Sequence, residues 1–159
     1  KIIPDEGAAI KNVAGEFLSY DNYYNIFITK SDEPFEKTFC HEMMHAIDFN
    51  ALNHKYDITG NWYDYNPKNF NYSIRDYRND NMEYTTYSYD EDEVYFVDAY
   101  SKVNQDEDRA RIFENVCYID EDNIIKKYTN LLKKAKYIRD ELIKYYPSLS
   151  NSEVFDSIK

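Results

Sequence analysis

The stretch from Ser31 to Asn53 constrains this chain more than any other. Ser31 can cap a helix, Asp32 and Glu33 suit the positive end of its dipole, and Pro34 fits the first turn. The helix is expected to end at about Asn50 or Asn53. Its middle, FCHEMMHAIDF, is apolar on nearly every side except where two histidines and a glutamate interrupt it. Such a helix is expected to be buried all round. Buried charge without a partner is costly, so the interruption needs a chemical explanation.

The interruption is His41-Glu42-Met43-Met44-His45, an HExxH motif. Residues four apart share a helix face, so both imidazoles can occupy corners of one zinc tetrahedron. Glu42 then lies beside the metal, where it can take a proton from a zinc-activated water. Zn2+ is therefore the expected cofactor, with His41 and His45 as ligands. A catalytic site wants a third protein ligand. The HExxHxxGxxH spacing fails, because Asp48 and Ala51 stand where Gly and His belong. His54 lies past the expected helix end, and Asp64 sits in an Asn-rich, loop-like context. The stronger candidate opens a later helix: Glu107, with Asp108 beside it and Glu114 seven residues on as rivals.

Around these motifs the chain reads as one α+β domain over 1–159. Glu16 to Tyr20 and Tyr23 to Thr29 form a hairpin across Asp21-Asn22. Residues 55–90 are irregular and rich in Asn, Asp and Tyr, and Asp90 to Glu93 is a solvated acidic turn. A second helix is expected from about Gln105 to Tyr118, and a third from about Asp122 to Tyr146. Ile124, Tyr128, Leu131, Ala135, Ile138, Leu142 and Tyr145 make the core-facing stripe of the third, and Pro147 ends it. The tail, SLSNSEVFDSIK, is expected to dock loosely.

Position for position, His41-Glu42-Met43-Met44-His45-Ala46-Ile47-Asp48, then Tyr100, then Glu107-Asp108-x-Ala-x-x-Phe resembles the gluzincin-type zinc metallopeptidases. The likeness is to the anthrax lethal factor-like peptidase domain and related bacterial zinc-peptidase-like proteins, and it covers about residues 15–115. It implies a zincin-like fold. Residues 1–54 would form a small lobe of hairpin or edge strand plus the HExxH helix, and 55–159 a mostly helical lobe supplying the third ligand. It implies Glu107 as that ligand and Tyr100 as a tyrosine pointing at the site. With Glu42 as general base, the implied activity is hydrolysis of peptide bonds in a peptide or protein substrate. The Tyr100 hydroxyl would help hold the developing oxyanion. One departure stands out: Arg109 and Arg111 replace the aromatic and the second acid of the E-x-F-A-E pattern. Independently of the likeness, a carboxylate on a buried helix such as Glu107 completes a two-His, one-Glu set.

Around the ligands, Asp48 and Asp108 are the candidates to accept a hydrogen bond from a ligand imidazole. Cys40 is read as a core thiol, and the pairing of Cys40 with Cys117 stays open. The net charge of −11 argues against a nucleic-acid partner, and no run of residues is long and apolar enough for a membrane span. The first residue is Lys1, which points to a mature form or a piece of a longer chain. Related domains are often exported, so a secreted or cell-surface bacterial protein is expected. Two alternatives have different consequences. A degenerate peptidase would keep zinc and act as a peptide-binding module. A purely structural domain would bind no metal.

Overall fold

The computed structural model describes residues 14–20, 23–29, 34–79, 93–119 and 123–158. Its architecture is α+β: a two-stranded antiparallel hairpin followed by helices. Strand β1 (Gly15–Tyr20) pairs with β2 (Tyr23–Ile28), Gly15 opposite Ile28 and Tyr20 opposite Tyr23. The Asp21-Asn22 turn lies outside the described residues. Phe17 and Tyr24 are diagonal neighbours across the strands, with ring centroids 5.6 Å apart. Both rings also meet Phe49, which lays the hairpin on the first helix.

That helix, α1, spans Phe35–Asn53 with Pro34 at its cap position, while Ser31, Asp32 and Glu33 lie outside the described residues. Its end is a Schellman arrangement. Tyr56 N–H donates to Ala51 O at 2.8 Å and Lys55 N–H to Leu52 O at 3.0 Å, with Lys55 at φ 60°. The expectation of burial on every side is corrected. Thr38, His41, Glu42, Met44 and Ala51 are buried, but Phe35 is 47% and Leu52 71% exposed. A hairpin and one main helix partner cannot cover a whole cylinder.

The irregular stretch after α1 contains a 3-10 turn at Trp62–Tyr65 and a short helix α2 (Ile74–Arg78), capped by Ser73 accepting from Asp76 N–H. Of the acidic run, only Glu93 is described, and it is exposed. Helix α3 (Gln105–Cys117) packs closely on α1. The long third helix expected from the periodicity is two helices, α4 (Ile124–Lys127) and α5 (Thr129–Tyr145). Tyr128 between them is extended, at φ −119° and ψ 124°. That break resets the phase, so Ile125 rather than Ile124 takes the buried place, whereas Leu131, Ala135, Ile138 and Leu142 hold the stripe as read. The residue before Pro147 leaves the helical region, as prolines require of their predecessors.

The tail is a second correction. It forms two 3-10 segments, Pro147–Asn151 and Glu153–Ile158, and inserts Phe155 and Ile158 into the core at 3% and 2% exposure. These join Met44, Trp62, Ile112, Phe113, Val116 and the α5 stripe in one cluster. Two apolar side chains three apart supply the anchorage that the polar residues around them conceal.

Cys40 on α1 and Cys117 at the end of α3 are free thiols that hydrogen-bond to each other. That contact lowers the Cys40 pKa and, together with burial, raises that of Cys117. Among the described residues no helix is long and apolar enough to cross a membrane.

Candidate metal centre

Helix α3 begins where the chain needs a reason to turn. Asn104 is extended and its side chain accepts from Glu107 N–H at 2.8 Å, a standard cap. Asp106, Glu107 and Asp108 fill the first turn, where the helix dipole favours negative charge. At the third position of a capped helix a glutamate often folds back onto the cap. Glu107 turns outward instead, toward α1.

There it meets both histidines. Its Oε2 lies 3.1 Å from His41 Nε2 and 3.5 Å from His45 Nε2, and the two Nε2 atoms are 3.2 Å apart. Among the described residues this is the only group of three metal-ligating side chains drawn together. Donors about 2.0–2.1 Å from a tetrahedral ion stand about 3.3–3.4 Å from one another. The three observed edges bracket that value. His41 Nδ1 lies 3.2 Å from Glu114 Oε2. A carboxylate only accepts, so Nδ1 donates to Glu114, and Nε2 would offer its lone pair to an ion that displaced its proton.

Metal-free, the same contacts form a proton site. Burial disfavours charge on His41, but hydrogen bonds to Glu107 and Glu114 outweigh it and push its pKa up to about 9. Glu107 is driven the other way: despite burial, the two imidazoles hold it well below the usual carboxylate range.

Glu42 is buried, and desolvation raises its pKa against the pull of His41 and His45. A Cβ on Gly15 would lie 2.7 Å from Glu42 Cγ and 2.8 Å from Thr38 Cγ2. The start of β1 therefore rests directly on Glu42, an approach only glycine permits. Tyr100 occupies a 3-10 turn, Tyr100–Lys102, with its ring 6.4 Å from that of His41. Burial and a hydrogen bond to Glu107 raise its pKa. The turn is tied down by Asp98, which accepts from Ser101 N–H at 2.9 Å and Ser101 Oγ at 3.1 Å. Arg111 pairs with Asp98 and with Glu114, and its guanidinium stands 5.8 Å over the Tyr100 ring.

The expected partners of the His41 and His45 imidazoles are corrected. Asp48 accepts two bonds from Arg109, at 3.0 and 2.9 Å. Asp108 is fully buried and bonds Lys134 Nζ at 2.7 Å, Tyr72 Oη at 2.7 Å and Trp62 Nε1 at 3.1 Å. Burial pushes Asp108 up and Lys134 down, and the attraction of each for the other opposes that shift. Arg109 and Lys134 claim these carboxylates instead. Glu114 takes the role instead. Its distance of two helical turns from Glu107 was the signal, since it places both on one face. Of the weaker ligand candidates, His54 bonds Asn50 O at 2.9 Å and Asp64 is exposed in the Trp62–Tyr65 turn, both away from the cluster.

No protein-family model, curated protein or solved structure matches this chain. The geometry alone carries the functional argument.

Proposed function

We propose that this chain is a zinc-dependent metallopeptidase of zincin-like fold, with His41, His45 and Glu107 as ligands and Glu42 as general base. The supporting observation is the set of edges between the three donor atoms, 3.1, 3.2 and 3.5 Å, which fits a tetrahedral ion with one corner left open. The donor set of two imidazoles and one carboxylate suits zinc. When bound, zinc would polarise the scissile carbonyl and make water more acidic.

The residues of the chain do the rest. Glu114 keeps the proton of His41 on Nδ1. Glu42, with its pKa raised, accepts a proton from the attacking water and later delivers it to the leaving amide nitrogen. Tyr100 Oη turns from Glu107 to donate to the substrate oxygen as negative charge grows there. A substrate strand pairs with the edge of β1 that no described strand covers, whose start lies against Glu42.

The test is cleavage profiling of zinc-loaded protein on a diverse peptide library, beside Glu42→Gln. Wild type should cut and bind one zinc. The variant should bind zinc and lose nearly all turnover. Cleavage surviving in the variant would remove Glu42 from the chemistry. Glu107→Ala should weaken zinc strongly; unchanged affinity would overturn that ligand.

A further inference from the structure

Beside His45 and Glu107 lies a cleft of about 520 Å³. One wall is apolar, built from Phe17, Phe49 and Leu52. The rings of Phe17 and Phe49 lie 5.8 Å apart, and the Leu52 side chain is largely bare. Two carboxylates besides Glu107 face the same space, Asp48 and Asp106. They are not equivalent. Both oxygens of Asp48 are engaged by Arg109. Among the described residues no cation pairs with Asp106. Asp106 is solvent-exposed and stands near the like charge of Asp48.

We infer that this cleft is the subsite for a residue next to the scissile bond, and that it selects a basic side chain. The aliphatic stem of lysine or arginine lies along Phe17, Phe49 and Leu52, and the cationic head meets Asp106. Aromatic faces add to the attraction for such a head. A purely apolar side chain would fill the wall but leave Asp106 unpaired. An acidic one would meet like charge. The net charge of −11 draws basic peptides from a distance, but only a shaped cleft can choose among positions along the peptide. The inference rests on the peptidase reading, so its test separates binding from cleavage.

Fluorescein-labelled alanine octapeptides differing only in one central residue (arginine, norleucine or glutamate) are titrated against zinc-loaded Glu42→Gln protein by anisotropy. Arginine should bind about fivefold or more tighter than norleucine, and norleucine tighter than glutamate. Asp106→Asn should erase the advantage of arginine and leave norleucine within about twofold, a change of the size expected for one charge pair. Phe49→Ala should weaken arginine and norleucine alike. Asp140→Asn removes an exposed acid on α5, and should change none of these values. Equal binding of arginine and norleucine, no measurable binding, or an equal loss with Asp140→Asn would overturn the inference. Incubating the same peptides with wild type tests the chemistry. Selective binding without cleavage would keep the basic subsite and remove the peptidase reading. Cleavage without a basic preference would do the reverse.

Discussion

At the two nitrogens of His41 the molecule does two different things. Nε2 faces Glu107 and His45, whereas Nδ1 is held by Glu114. Glu114→Gln keeps an acceptor but loses the charge that steadies the ring. It should weaken metal binding about tenfold while turnover per bound metal persists. Competition with a calibrated chelator reads the first and steady-state kinetics the second. Gly15→Ala should act the other way. The new methyl group would press on Glu42 and the buried Thr38, so metal affinity should hold and turnover fall about tenfold or more, since small displacements of a catalytic group are costly. Unchanged turnover would mean that Glu42 can yield without losing its aim. At this scale the grouping of His41, His45 and Glu107 was legible, because HExxH and a carboxylate-opened helix declare their geometry through spacing. Their supports were not. Asp48 and Asp108 have the right spacing for imidazole partners, but spacing says nothing of Arg109 and Lys134, which claim them.

Elements were read well where one period governed them. The α3 and β2 boundaries follow from capping and β-branched composition to within a residue. The hairpin was legible for the same reason. What failed was phase and docking. An extended Tyr128 interrupts a stripe that is continuous on paper, and Phe155 and Ile158 anchor a tail that composition reads as polar. Phe155→Ala should therefore cost about 3–5 kcal/mol, the usual toll of emptying an aromatic site in a core. Denaturant unfolding measures it; a loss below about 1 kcal/mol would mark the tail as loosely attached after all. The end of α1 offers the opposite case. Lys55 occupies a left-handed position better suited to glycine. Lys55→Gly should raise stability by roughly 1 kcal/mol by relieving that strain.

For the whole molecule, the cluster links metal binding to pH. Metal-free, His41 has a pKa of about 9, above the 6.5 of an ordinary histidine. Its proton therefore stabilises the metal-free fold fully below about pH 6.5, and this contribution is lost as pH rises toward 9. An incoming metal must displace that proton. Apparent affinity should climb about tenfold per pH unit across this range and level off above it. Calorimetry in buffers of different ionisation enthalpy should detect the released proton, and a flat profile would mean that His41 is already neutral.

All three side chains of the cluster come from just two helices, α1 and α3. An ion seated between them would act as a rivet joining two rods that otherwise meet through side-chain packing, the Asp48–Arg109 pair and the His41–Glu114 bond. Local opening of either rod would then require release of the ion. Amide hydrogen exchange should slow jointly along α1 and α3 when metal is added, while exposed amides of the hairpin gain far less. The rivet would make two separately fraying elements open as one.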